Sequence, residues 1–423
     1  MEINSSIDAH LGYLGFCGLN SRIFSQFRLK SIDSHSWCTL SPRSNFNTSI
    51  VKYSSKCAVF MDKNTDYTAV MIVPTGIGAA IGGFAGDAMP AARLMSKVVD
   101  TLITHPNVLN GAQMYWPMEN VLYVEGFALD AFASGTMGLI PCRKKSNSIG
   151  VVFDAGMSQN LRIRHLQAID AARATLGIQI KAVATTPRPL DVHLETSASS
   201  ESASWGTISD VDALLAACRQ LIDEHKCNAI AVVGAFNEEE EDEDDLQKYR
   251  EGEGVDRIGG AEAVISHLVT RELAIPCAHA PALPPLDADE AVSPKAAAEE
   301  LGYTFLPCVL VGLSRAPQLV RITEQHNPGY GEMIVSSDVD AVVIGSGMMG
   351  GAGLLSLAEN DDVLVISVEE NTSVMHVTAH DVNIKNVVHV KNYLEAAGVI
   401  AAHKAGIALN SISAKVDFVQ ELQ

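Results

Sequence analysis

Five glycines between an apolar strand and a helix constrain this chain more than any other feature. Ala69 to Val73 has the composition of a buried strand, and Gly76, Gly78, Gly82, Gly83 and Gly86 follow it. Pro90 then sits where a first helical turn tolerates a missing N–H, ahead of the helix formers Ala91 to Met95. A strand entering a helix through such a turn belongs to an α/β architecture. It leaves backbone N–H groups and the positive end of the helix dipole at the carboxyl edge of a sheet, where phosphates and carboxylates bind. The spacing fits neither a P-loop, since no Gly-Lys-Ser/Thr follows, nor a clean dinucleotide fingerprint. The turn is expected to hold an anion without naming it.

A second stretch repeats the design. Ala341 to Ile344 reads as a strand, Gly345, Gly347, Gly350 and Gly351 form the turn, and Val363 to Ser367 is a further strand ending near Glu369. Glu369 stands about where a dinucleotide fold places its ribose-binding acid. The chain beyond is too short for a complete dinucleotide domain unless earlier strands join the same sheet. A nucleotide-dependent oxidoreductase is therefore an alternative, and it requires this turn to face solvent with Glu369 beside it. Further apolar runs at Ser148–Met157, Asn228–Phe236 and Ile275–His279 read as strands of parallel type. Together these runs predict an α/β fold with mainly parallel sheets and glycine-rich strand-to-helix turns, in two lobes around a cleft. The expected divisions are a leader at 1–57, one lobe at 58–190 and another at 191–423, the latter with an exposed acidic loop at 237–254. Thr304 to Val311 reads as a strand and Gly312 to Pro317 as a turn carrying Arg315, while Glu125 falls within a strand-like core run.

The candidate chemistry lies at the ends of these elements. His105 follows the strand Thr101–Thr104 and would sit beside the first glycine turn if the strands are neighbours. His279 emerges from a strand at the carboxyl edge, and His267 lies on the helix before it. Ser266 and His267 are adjacent on that helix and point apart, so they do not form a nucleophile–base pair with each other. Asp87, His105, His267 and His279 are the acid/base candidates, the glycine turns the anion cradle, and Arg315 an anion clamp. For His267 and His279 the plainer reading is a hydrogen-bonded core side chain, and for His105 it is turn chemistry, with the His-Pro-Asn side chains capping backbone groups. His376 and His380 are four apart, which on a strand places them about 13 Å from each other, too far to share a metal. No metal site is expected, and no cofactor is identified.

Composition narrows the partners. A formal charge of −20 argues against nucleic acid and anionic membrane surfaces. No apolar run reaches the roughly 20 residues of a spanning helix. The eight cysteines include no CxxC pair and read as reduced thiols. Residues 1–57 differ from the rest, being rich in serine, with basic residues outnumbering acids. That is the composition of an organelle transit peptide, and the abundance of serine favours the plastid.

The runs VPTGIGAAIGGFAGDAMPAARLM, THPNVLNGA, GGAEAVISHLVTRELAIPCAHAP, LGYTFLPCVLVGLSRAP and VEENTSVM together resemble an uncharacterised domain-of-unknown-function family shared by cyanobacteria and plant plastids. The resemblance covers nearly all of residues 67 to 410. It implies a plastid protein of cyanobacterial descent and carries no assigned catalytic residues. The expectation is a chloroplast-stroma enzyme acting on a small anionic metabolite, with room for a homo-oligomer. A non-catalytic metabolite-binding or assembly factor is the alternative. Geometry separates the two: an enzyme needs His105, His267 or His279 within reach of one another beside a glycine turn.

Overall fold

In the computed structural model the described residues are 66–421, apart from 111–115, 144, 196–202, 237–242, 303–304, 323–332, 417 and 420. The leader at 1–57, the serine cluster near 200 and the first acids of the 238–245 run lie outside them.

Runs of Val, Ile and Ala without polar alternation suit strands covered on both faces. Three of them, β1 (Thr68–Ile72), β2 (Thr101–Thr104) and β3 (Val121–Tyr123), run outward from the middle of a six-stranded sheet. Three more, β12 (Val339–Gly345), β13 (Leu364–Val368) and β14 (Val387–Val390), run outward the other way. The order is β14-β13-β12-β1-β2-β3, and all the pairings are parallel, with Val70 of β1 between Val342 and Ile103. Counted from β12, this is the 3-2-1-4-5-6 order of a doubly wound sheet, with the chain entering at its centre. The two glycine turns thus leave adjacent central strands, at the point where the winding reverses.

A second sheet contains β5 (Ile149–Phe153), β6 (Ile180–Thr185), β9 (Ala229–Gly234) and β10 (Cys277–Pro281), in the parallel order β10-β9-β5-β6. Two antiparallel ribbons complete the strands: β4 (Met137–Ile140) with β11 (Gln318–Arg321), and β7 (Val192–Glu195) with β8 (Trp205–Ile208). The α/β expectation is met. The lobe boundary at 190 is not the structural division, because the last strands of the chain belong to the first sheet. Parallel pairing of β12 with β1 recruits both ends of the sequence into one sheet, while the second is built from the middle.

Helices α1 (Met89–Met95), α2 (Pro106–Leu109), α3 (Gly126–Ala133), α10 (Ala352–Ala358) and α11 (Tyr393–Lys404) accompany the large sheet. Helices α4 (Gln159–Leu176), α5 (Val211–His225), α6 (Glu243–Arg250), α7 (Gly259–Leu273), α8 (Pro294–Glu300) and α9 (Leu306–Arg315) come from the central part of the chain. Ser158 and Asp210 accept hydrogen bonds from Leu161 N–H and Ala213 N–H, capping α4 and α5.

Three local expectations are corrected. Of the run expected as a strand at Thr304–Val311, the described part from Phe305 is not one: Phe305 turns the chain at φ 48°, Pro307 occupies the first turn, and α9 runs on to Arg315. An apolar run of this length is ambiguous by periodicity, and α9 is buried against both sheets, with Leu306, Val309, Leu310 and Leu313 fully covered. Each such side chain contributes about 1.5–3 kcal/mol relative to exposure, as an upper estimate. Part of the acidic stretch at 237–254 is helix α6, where acids lead and Lys248 and Arg250 end the last turn, as the helix dipole favours. Glu125 lies just beyond β3 and caps α3, accepting from Ala128 N–H at 3.2 Å.

Candidate functional site

A cavity of about 130 Å³ opens where the carboxyl ends of β1, β2 and β3 face α7 and β10. His105, His267 and His279 all line it, alongside Gly83 of the first glycine turn. Glu125, Asp256, Glu262 and Glu299 line it as well, and its described lining holds no lysine or arginine.

His105 reaches the cavity because β2 ends at Thr104 and Pro106 starts α2, leaving His105 as an extended residue between them. Its Nε2 accepts the Val73 N–H at 2.9 Å. That bond fixes the tautomer with the proton on Nδ1. Burial, then the neighbouring His267, lowers its pKa to about 4, so the ring is neutral at pH 7.

On the other wall, helix α7 places Glu262 and Ser266 one turn apart on one side, with His267 next to Ser266. Ser266 Oγ is 3.0 Å from His279 Nδ1, 3.2 Å from the Ala263 carbonyl and 3.5 Å from Glu125 Oε1. His267 Nδ1 is 2.8 Å from Glu125 Oε1 and also donates to the Ala263 carbonyl. Burial alone would lower the His267 pKa. The Glu125 hydrogen bond and charge, the Ala263 carbonyl and Asp130 outweigh it, and the net shift is upward. His279 goes the other way, to about 3, through burial and the nearby His267.

The carboxyls divide similarly. Burial, then Asp256 and Glu299, holds Glu262 well above the usual carboxylate range, and its Oε1 is buried without a hydrogen-bond partner. Burial and Asp256 push Glu299 up to about 8, against hydrogen bonds from Tyr249 O–H at 2.8 Å and Ala85 N–H at 3.3 Å. At pH 7 the cavity therefore holds two neutral imidazoles, Glu262 and Glu299 with their protonated forms favoured by burial, and the His267–Glu125 pair. Neighbouring groups with divergent proton affinities are what acid–base sites are built from.

The Ser266–His279 contact invites a nucleophile–base reading. Two observations weigh against it. Glu262, behind His279 Nε2, is 3.8 Å away and its neutral form is favoured by burial, so it is poorly suited to stabilise an imidazolium. Ser266 is 2% exposed, which leaves little access for an electrophile. Among the described residues no cluster of three His, Cys, Asp or Glu side chains is placed to hold a metal ion.

The remaining candidates lie elsewhere. Asp87 is outside the cavity lining; it accepts the Gly82 N–H and pairs with Lys295 at 2.9 Å, bracing the glycine turn. Burial nonetheless raises its pKa, partly offset by Lys295. Within the 76–86 turn, protein acceptors already occupy several N–H groups. Ala80 donates to the Thr372 carbonyl, Ile81 to Asn371, Gly82 to Asp87, and Ala85 to Glu299. The protein's own oxygens fill much of the nest. Gly76 and Gly78, at φ 73° and 58°, are needed for the shape of the turn rather than for a ligand.

The 345–351 turn is closed off by residues 371–377. A Cβ on Gly345 would lie 2.6 Å from the Asn371 carbonyl oxygen, and one on Gly347 2.7 Å from that of Met375, while Gly350 and Gly351 at the end of the turn are exposed. Glu369 is exposed, and Arg315 is exposed at the end of α9, outside the cavity lining. The geometry required of a dinucleotide turn is not met.

Glu125, Glu262, Ser266 and Glu299 were not among the sequence candidates. Glu125 stands between a strand and a glycine-started helix, at a functional edge, and that was its signal. Glu262 and Ser266, four apart on α7, were visible as a helical face. Glu299 had no comparable signal, since its access to the cavity depends on where α8 packs.

Among the described residues no helix is long and apolar enough to cross a membrane. An uncharacterised lipoprotein of Synechococcus sp. is 49% identical over 345 residues, covering 80% of this chain and 91% of the relative. No solved structure matches. The family described as Protein of unknown function (DUF3326) matches residues 68–413, a span that contains both sheets and the cavity described above, and the chain belongs to that family.

Proposed function

We propose that this protein is an acid–base enzyme that moves a proton within a small substrate held in the 130 Å³ cavity, as in an isomerisation or the addition or loss of water. One observation carries the reading: three histidines and three buried or half-buried glutamates meet in that cavity with proton affinities driven in opposite directions. The His267–Glu125 pair is the proton-transferring group. Protonated Glu262, with a buried oxygen unpartnered, and the Nδ1–H of His105 donate hydrogen bonds to a substrate oxygen. The Ser266 hydroxyl orients His279. With no lysine or arginine in the lining to pair with a phosphate or carboxylate, an uncharged polar group is favoured over the anionic metabolite that the glycine turns suggest.

Small hydroxy and carbonyl compounds incubated with the full chain in D₂O provide the test, with carbon-bound hydrogen exchange followed by NMR. Exchange into one compound class is expected, falling about 10²–10⁴-fold in His267→Gln. If no compound exchanges, or if His267→Gln exchanges as fast as the parent, the reading fails.

A chloroplast location, with residues 1–57 as transit peptide, rests on the serine-rich, acid-poor leader that precedes the matched span. The Synechococcus relative is described as a lipoprotein, which points instead to a membrane-associated compartment. A fluorescent fusion to residues 1–57 separates the two: import into the plastid supports the first, and retention at a membrane outside the plastid supports the second.

A further inference from the structure

Beside the candidate site lies a second, larger cavity of about 320 Å³. The two share five lining residues, Asp256, Ile258, Leu283, Glu299 and Phe305, so they adjoin across these side chains, a narrow polar cavity beside a wider annex. The annex takes its character from Leu246, Val255, Pro284, Leu286 and Ala296. Its charged rim is internally paired, Arg250 with Glu300 at 2.8 Å and Arg257 with Asp245. Tyr249, on the annex wall, stacks on Phe84 of the glycine turn with ring centroids 4.6 Å apart and donates to both Glu299 and the Gly83 carbonyl. The annex is thus fastened to the wall of the smaller cavity by hydrogen bonds.

We infer that the substrate is amphiphilic: a polar reacting group occupies the histidine-lined cavity while a hydrocarbon chain attached to it fills the annex. Adjacency of the two spaces carries this. Ile258, Leu283 and Phe305 give both an apolar strip in common, beside Asp256 and Glu299, and Leu286 in the annex lining is 45% exposed. With the rim charges paired to one another, a neutral alkyl or acyl chain strands no ion there. The inference rests on the acid–base reading for what happens at the polar end, but its test does not require turnover.

The probe is a series of straight-chain primary alcohols from butanol to decanol, titrated calorimetrically into the full chain. Affinity is expected to rise about fourfold per methylene and to level off once the annex is full. Leu286→Trp places bulk at the mouth of the annex from a position exposed enough to tolerate it, and should make the rise stop at a shorter chain. Leu301→Trp, at a position 87% exposed and outside the lining, should leave the series unchanged. Affinity independent of chain length, or a Leu286→Trp series identical to the parent's, overturns the inference. A normal alcohol series without any hydrogen exchange in D₂O defeats the acid–base reading and leaves the annex standing. Exchange of short polar compounds with a flat alcohol series does the reverse.

Discussion

Two glycine turns leave neighbouring strands at the centre of the same sheet, yet they do opposite things. The turn at 76–86 borders a cavity rich in titratable side chains, whereas the turn at 345–351 is packed against its own protein. The glycines are similar and so are the strands that precede them. What differs is the segment laid across each turn. Residues 371–377 return over the second one, where Val377 N–H donates to the Gly347 carbonyl and Met349 N–H to that of Val377. The first turn is also packed, by Asn371, Thr372 and the backbone at 204 and 254, but around Gly83 and Ala85 side chains from α7, β10 and α8 leave a gap. A strand–glycine–helix sequence specifies a place where a ligand can bind; the return path of the chain decides whether one does.

The comparison can be broken most sharply at His267. If the open turn is the working one, His267→Gln abolishes proton exchange, by about 10²–10⁴-fold, while leaving the fold intact by circular dichroism. Residual exchange near the parent rate would place the chemistry elsewhere.

Next in size is the staple between the two turns. Asn371 is fully buried, accepts the Ile81 N–H at 2.9 Å, and donates to the Ile81 carbonyl at 3.0 Å and to the Tyr393 hydroxyl at 2.8 Å. Asn371→Ala strands the Ile81 groups and is expected to cost roughly 3 kcal/mol in denaturant unfolding. A loss below about 1 kcal/mol would show that the closed turn does not brace the open one.

The glycines themselves come third. Gly345→Ala drives a methyl group into the Asn371 carbonyl, and Gly83→Ala drives one into that of Ala79, at 2.6 and 2.3 Å before relaxation. Each should cost about 1–3 kcal/mol. Only Gly83→Ala should also slow exchange, because only Gly83 lines the cavity. Equal effects on exchange would erase the distinction between the turns.

The last test is a pH slope. Glu299 is held protonated up to about 8 by burial and Asp256, against an ordinary value of 4.5. Between those values the folded protein keeps a proton that the unfolded chain has released. The stability it contributes is present in full below the lower value and is lost as pH rises through the upper one. Glu299→Gln keeps a neutral side chain throughout, so it should lose less stability than the parent between about pH 5 and about pH 9. Parallel profiles would contradict the assigned protonation.

Much of this fold was legible in the sequence, because parallel strands announce themselves as short apolar runs and glycine marks their exits. The strands at 341–344 and 363–367 and the helix closing near Lys404 were visible in that way. Helix α9 was not, since a short, largely buried helix has the same unbroken apolar run as a buried strand. Nor was α6, whose acids read as a solvated loop until Lys248 and Arg250 are seen to close its last turn. The histidines could be picked out one at a time from strand and helix ends. Their partners could not: Ser266 meets His279 because α7 folds back over β10, and Glu125 meets His267 because α3 packs against α7. Sequence separation hides such contacts.

The placement of β12 beside β1 also bears on how the molecule is made. Thr68 N–H, at the start of β1, donates to the carboxylate of Asp340, 272 residues further along. A chain synthesised or threaded across a membrane from its amino end exposes β1 long before its central neighbour exists, and that unpaired edge is open to wrong partners throughout. The second sheet has all its strands within 149–281 and can close first. Assembly is therefore expected to run from the middle of the sequence outward, with the large sheet sealed last and the first strand needing protection until it is.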